Sequence, residues 1–102
     1  MSDFPAVAAD PGVTRQVLAD HADLMVVSFK FENGAQGYRH SHPHVQSTYV
    51  KSGRFQFFCG DDTHDLGPGD SLVIPSGAEH GCTCLESGEL IDCFTPRRDD
   101  FL

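Results

Sequence analysis

A chain of 102 residues has room for one hydrophobic core, and at 39% hydrophobic and 10% aromatic residues it is too apolar for a disordered segment. Seven Lys and Arg against fifteen Asp and Glu leave a net charge of −8, so the basic surface that nucleic-acid phosphates require is absent and no nucleic-acid partner is expected. No strictly apolar run exceeds the four residues 24–27, far short of the roughly 18 needed to span a bilayer, which argues against a membrane partner.

In chain order, residues 1–12 carry no basic residue and no apolar stretch of signal-peptide length; they read as a mobile N-terminal arm of a cytoplasmic protein. After them the apolar runs are short, rich in β-branched and aromatic residues, and broken by Gly, Pro, Asp and Asn, which is an all-β pattern. Candidate strands are 15–19, 24–31, 37–40, 46–51, 54–59, 63–66, 71–74, 81–86 and 89–94, with a short helix over 13–23 as the alternative for the first. Turns are expected at Glu32-Asn33-Gly34, Lys51-Ser52-Gly53, Gly60-Asp61-Asp62 and Ser87-Gly88. Residues 96–102 form a C-terminal arm, aromatic and arginine-rich. Such strand spacing suits a single-domain sandwich or small barrel. The four cysteines, Cys59, Cys82, Cys84 and Cys93, are expected to be reduced thiols.

The histidines carry the chemical signal. On an extended strand residues i and i+2 share a face, so His40 and His42 can present imidazoles in one direction, as a metal ion requires. Gln46 follows beyond Pro43 with a side-chain oxygen, and His80 arrives from a distant part of the chain. Read one position pair later, His42 and His44 would be followed by Thr48 or Tyr49, poor ligands for a divalent metal, so His44 is expected to line the pocket or support a ligand. Leu90, Asp92 and Phe94 share one face, and an interior Asp demands a chemical reason.

These residues also form two spaced motifs. The run Gly34, five residues, His40-x-His42, three residues, Gln46, six residues, Gly53 resembles the first cupin motif. Fifteen residues later, Gly69, five residues, Pro75-x-Gly77, two residues, His80, three residues, Cys84 resembles the second. The resemblance implies a cupin β-barrel, the double-stranded β-helix or jelly roll. Two positions depart from the usual pattern: Gln46 stands where a glutamate ligand is common, and Cys84 where an asparagine is common. A neutral amide in place of a carboxylate leaves the metal one more unit of positive charge, which favours an anionic substrate.

The run from Arg39 to Gln46, with the segment from Asp92 to Leu102, is further similar to the KdgF family of small single-domain cupins. That similarity implies a non-redox isomerase that linearises 4,5-unsaturated monouronates, the sugars released by pectin and alginate lyases. It also implies functional roles for Asp92 as a proton shuttle, Phe94, and Arg98 (or Arg97) on the uronate carboxylate. The implied cofactor is one divalent metal ion, zinc, nickel, iron, copper or manganese, held by His40, His42, Gln46 and His80. Two other functions fit the same residues: a mononuclear iron dioxygenase, and a metal-containing cupin that binds a sugar without turnover. Phe55, Phe57 and Phe58 read as barrel wall and partner-facing surface, and the extra phenylalanine, like Tyr49, is expected to mark the interface of a homodimer.

Overall fold

The protein is described here by a computed structural model covering residues 3–102. Eight strands account for most of it: β1 (Val7–Asp10), β2 (Val13–His21), β3 (Leu24–Phe31), β4 (Gln36–His40), β5 (Val45–Cys59), β6 (Asp62–Leu66), β7 (Ser71–Ile74) and β8 (His80–Thr95). A single 3-10 turn at Asp99–Phe101 follows. No helix among the described residues is long and apolar enough to cross a membrane.

All pairings are antiparallel and divide into two sheets. In one, β1, β2, β3, the second half of β8, the first half of β5 and β7 lie side by side. The other runs β4, the first half of β8, the second half of β5 and β6. The hydrogen-bond path does not close on itself, so the expected barrel takes the form of a jelly roll of two sheets. Their inner faces meet in one core, where Val13, Phe31, Val50 and Leu90 from the first sheet pack with Phe55, Phe57, Cys82 and Cys84 from the second. A second cluster, Val17, Met25, Val27 and Phe94, closes the other end.

Two expected turns do not form. Residues 46–51 and 54–59 belong to the single strand β5, and 81–86 and 89–94 to the single strand β8. The glycines that signalled turns serve a different purpose: they let the two long strands pass closely as both cross from one sheet to the other. Gly53 adopts φ 81°, and a Cβ there would lie 2.5 Å from the Glu86 carbonyl oxygen. A Cβ on Gly88 would collide with the Ser52 carbonyl. The pairing register shifts three times between Val50 and Phe55, a bulge that inverts the alternation along β5. Gln46, Thr48 and Val50 face inward before it, Phe55 and Phe57 after it.

The chain ends also differ from expectation. Within residues 1–12, Val7–Asp10 is a paired edge strand. Residues 13–23 hold β2 and no helix; Val13 and Val17, both buried, are four apart, a spacing that fits one face of a strand as well as one face of a helix. Residues 96–102 fold back, with Phe101 packed edge-on against Phe29 and Phe94. All four cysteines are free thiols.

Candidate metal centre

β4 ends at His40, directly opposite His80 in the β4–β8 register, and His42, two residues beyond the strand, has its ring centroid 5.5 Å from that of His40 and 4.9 Å from that of His80. The imidazole nitrogens of His40, His42 and His80 include one from each ring that all lie within 4.8 Å of one another. His44 stands outside this group: its Nε2 meets the Arg97 carbonyl at 3.1 Å, and its own carbonyl meets His42.

The backbone sets the state of the three rings. Nδ1 of His40 lies 2.7 Å from the Tyr38 carbonyl oxygen, that of His42 3.1 Å from the His44 carbonyl oxygen, and that of His80 2.9 Å from the Ala78 carbonyl oxygen. A carbonyl only accepts, so in each of these contacts Nδ1 is the donor, and the ring so protonated presents Nε2 for a ligand bond. Burial pushes the His80 imidazole down to about 4 and also lowers His42, so both rings are neutral near pH 7. Nε2 of His80 is buried without a hydrogen-bond partner, a cost of about 1–3 kcal/mol that a cation would remove.

Gln46, 5% exposed, lies at the base of the same space. Its Nε2 donates to Thr48 Oγ1 at 3.0 Å and to Asp92 Oδ2 at 3.2 Å, which turns Oε1 toward His42 Nε2, 3.0 Å away. With His42 protonated on Nδ1 these two facing atoms are both acceptors; with the proton on Nε2 the ring donates to Gln46 Oε1. A separation near 3.0 Å suits two neighbouring ligand atoms sharing one cation with bonds of about 2.1 Å. The residues therefore fit a divalent metal: three imidazoles grouped closely enough to bind it, with the Gln46 amide oxygen beside them.

Asp92 is buried in the middle of β8, opposite Thr48 of β5 and Val27 of β3. Burial pushes its carboxyl up to about 7, with the Thr48 hydroxyl and the Arg98 guanidinium pulling the other way. One oxygen, Oδ2, accepts from Gln46, while Oδ1 is buried without a partner.

A cavity of about 380 Å³ joins these groups, lined by His40, Gln46, His80, Asp92, Phe94 and Arg98 among others. The two adjacent arginines part company at its rim. Arg97 makes a two-point contact with Asp20 on β2, at 3.0 and 2.7 Å. Arg98 turns into the cavity wall, its guanidinium carbon 5.1 Å from the Phe94 ring centroid and 4.2 Å from that of Phe101, with Asp100 accepting from Nε and Nη2 at 3.0 and 2.8 Å. Phe94 is 1% exposed and lies edge-on to His42, so it forms the wall shared by the histidine group and Arg98. Sequence reasoning missed Thr48, although its i+2 relation to Gln46 places it on the same face. It also missed Arg15 and Phe101, for which no local pattern exists, since only the β2–β3 pairing and the fold-back of the C-terminus bring them here.

Residues 27–91 match the family of cupin domains. The pectin degradation protein KdgF of Dickeya dadantii is 38% identical over 93 residues, covering 89% of this chain and 84% of that protein. Among solved structures, an RmlC-like cupin from Shewanella frigidimarina superposes with a TM-score of 0.94 at 37% identity, over 98% of this chain and 90% of that one. KdgF from Halomonas sp. superposes with a TM-score of 0.91 at 39% identity, over 98% and 93%. The fold and its histidine site define a cupin, and the chain belongs, within the cupins, to the KdgF family.

Proposed function

We propose that this protein is a metal-dependent isomerase that converts 4,5-unsaturated monouronates, from pectin and alginate breakdown, into linear keto acids by ring opening and tautomerisation. The observation that carries this reading is one cavity lined by His40 and His80 of the three-histidine group, by the buried Asp92 carboxyl with one unpartnered oxygen, and by Arg98. A relative that is a pectin degradation protein at 38% identity supports the substrate class.

In this reading His40, His42, His80 and the Gln46 amide oxygen hold the divalent ion, whether zinc, nickel, iron, copper or manganese. When bound, such an ion supplies Lewis acidity, polarising oxygens of the sugar and offsetting negative charge that develops on them. Arg98 pairs with the uronate carboxylate through N–H groups that Asp100 leaves free, and Phe94 holds the guanidinium in place by stacking. Asp92 Oδ1 takes the proton of the C1 hydroxyl as the bond from C1 to the ring oxygen breaks, leaving an aldehyde at C1 and an enolate at C5. The same carboxyl then returns the proton to C4, which turns the enolate into a ketone. Every atom is conserved and no electron acceptor is needed. A carboxyl poised near 7 can both accept and give back a proton at neutral pH.

The test follows loss of the alkene's ultraviolet absorbance when metal-loaded protein meets freshly made 4,5-unsaturated monouronate without oxygen. Acceleration over the spontaneous rate, abolished in His80→Ala, is the expected result, and it excludes a dioxygenase. Decay at the spontaneous rate with metal fully bound would overturn the isomerase and leave the dioxygenase and the sugar-binding cupin, which oxygen consumption and ligand binding then separate. We further place the protein in the cytoplasm as a homodimer. Exposed Val45, Tyr49 and Val73 on the outer face of β5 and β7 support pairing, and gel filtration tests it.

A further inference from the structure

Arg15 has no part in the chemistry above, yet it lines the same cavity as His40, His80 and Asp92. It stands on β2 opposite Phe29, half-buried, with its guanidinium carbon 4.2 Å from the Phe101 ring centroid. Arg98 lies at the same 4.2 Å from that centroid, so one aromatic ring carries two cations. Their counter-ions differ. Arg97 sits on Asp20, Arg98 on Asp100, Arg39 on Glu79 and Lys51 on Glu89. Arg15, like Lys30 and Arg54, makes no ion pair with any described residue, and of these three it alone lines the cavity.

Arg98 has its charge offset by Asp100, and Asp10 and Asp100 line the cavity as well; Arg15 stands among them with no carboxylate of its own, so its guanidinium N–H groups are open to an anion that enters. Arg98 has already committed Nε and Nη2 to Asp100, so a carboxylate that used Arg98 alone would find only part of its fork free. We propose that Arg15 is a second anion-binding residue, forming with Arg98 and the shared Phe101 ring a two-arginine clamp for the carboxylate of a sugar acid. Naming that anion as a uronate rests on the function proposed above. The clamp makes charge, in addition to shape, a condition of entry, and so separates sugar acids from neutral sugars of equal size.

The experiment compares wild-type and Arg15→Gln protein, both metal-loaded, in binding galacturonate and galactose by calorimetry, and in steady-state turnover of the 4,5-unsaturated monouronate. Expected in Arg15→Gln is a rise of at least about tenfold in the galacturonate Kd and in KM. The turnover number should stay within about twofold and galactose binding should not change. Arg15→Lys, which keeps the charge without the planar fork, should recover part of the loss. Unchanged galacturonate binding in Arg15→Gln overturns the clamp, as does wild-type protein that binds no galacturonate. If Phe101→Leu reproduces the Arg15→Gln losses and both variants weaken galactose equally, Arg15 acts only by packing and the clamp falls. Galacturonate binding that depends on Arg15 without any turnover keeps the clamp and removes the isomerase; turnover indifferent to Arg15→Gln does the reverse.

Discussion

Asp92 and His80 are both buried, and burial opposes charge on each from opposite directions. As pH falls from 6.5 toward 4, the unfolded chain binds a proton at His80 that the folded protein refuses, so stability declines. As pH rises from 3.8 toward about 7, the unfolded chain releases a proton from Asp92 that the folded protein retains, so stability declines that way as well. Over their shared window the two costs oppose each other. Asp92→Asn removes the second, so in metal-free protein it should stabilise at pH 8 and lose that advantage toward pH 4, a crossing that thermal melts across the pH range would reveal. The same variant should lower turnover by about 10²- to 10⁴-fold with metal content unchanged. Gln46→Glu is the complementary change. It adds a carboxylate where an amide now donates to Asp92 at 3.2 Å, so it should tighten metal against a chelator while raising the Asp92 pKa and lowering turnover at neutral pH by at least about tenfold.

At the scale of strands, much was legible before any coordinates, because period-2 alternation places Leu90, Asp92 and Phe94 on one face wherever β8 begins or ends. His40 and His42 were legible from their i, i+2 spacing, although β4 ends at His40 and His42 lies beyond it, whereas His80 was legible only through the second motif, its place opposite His40 being a matter of strand register. Gly53 and Gly88 misled, since a glycine that permits a hairpin and one that permits two strands to touch look alike in sequence. The inward order of Phe55 and Phe57 was hidden by the same bulge, which no local rule locates. Gly88→Ala tests the observed role. With its Cβ driven into the Ser52 carbonyl it should cost at least about 2 kcal/mol in a urea melt, whereas Gly60→Ala, with open space around it but φ 59°, should cost about 1 kcal/mol.

For the molecule as a whole, the orphaned His80 Nε2 is a buried acceptor that a cation bound at the proposed site would satisfy. Binding to the folded state alone stabilises by mass action, about 4 kcal/mol when free metal exceeds Kd a thousandfold. For a chain of this size, chelation should then lower Tm by more than about 10 °C, and readdition should restore it. In a protein of net charge −8, Arg15 and Arg98 are the two arginines of a cavity that Asp10, Asp92 and Asp100 line as well. Rising salt should therefore weaken galacturonate binding more than galactose binding in the same calorimeter.

The unbroken length of β8 has a mechanical consequence. His80 at its start and Asp92 near its end ride on one ribbon, with no loop between them to absorb a displacement. Midway, that ribbon is pinned where Gly88 presses on Ser52 and Gly53. Their relative position is thus as stiff as the crossing itself. A substitution there acts like a shim beneath a beam: it tilts the metal-binding end against the proton-transfer end, and activity should fade while the fold is still intact.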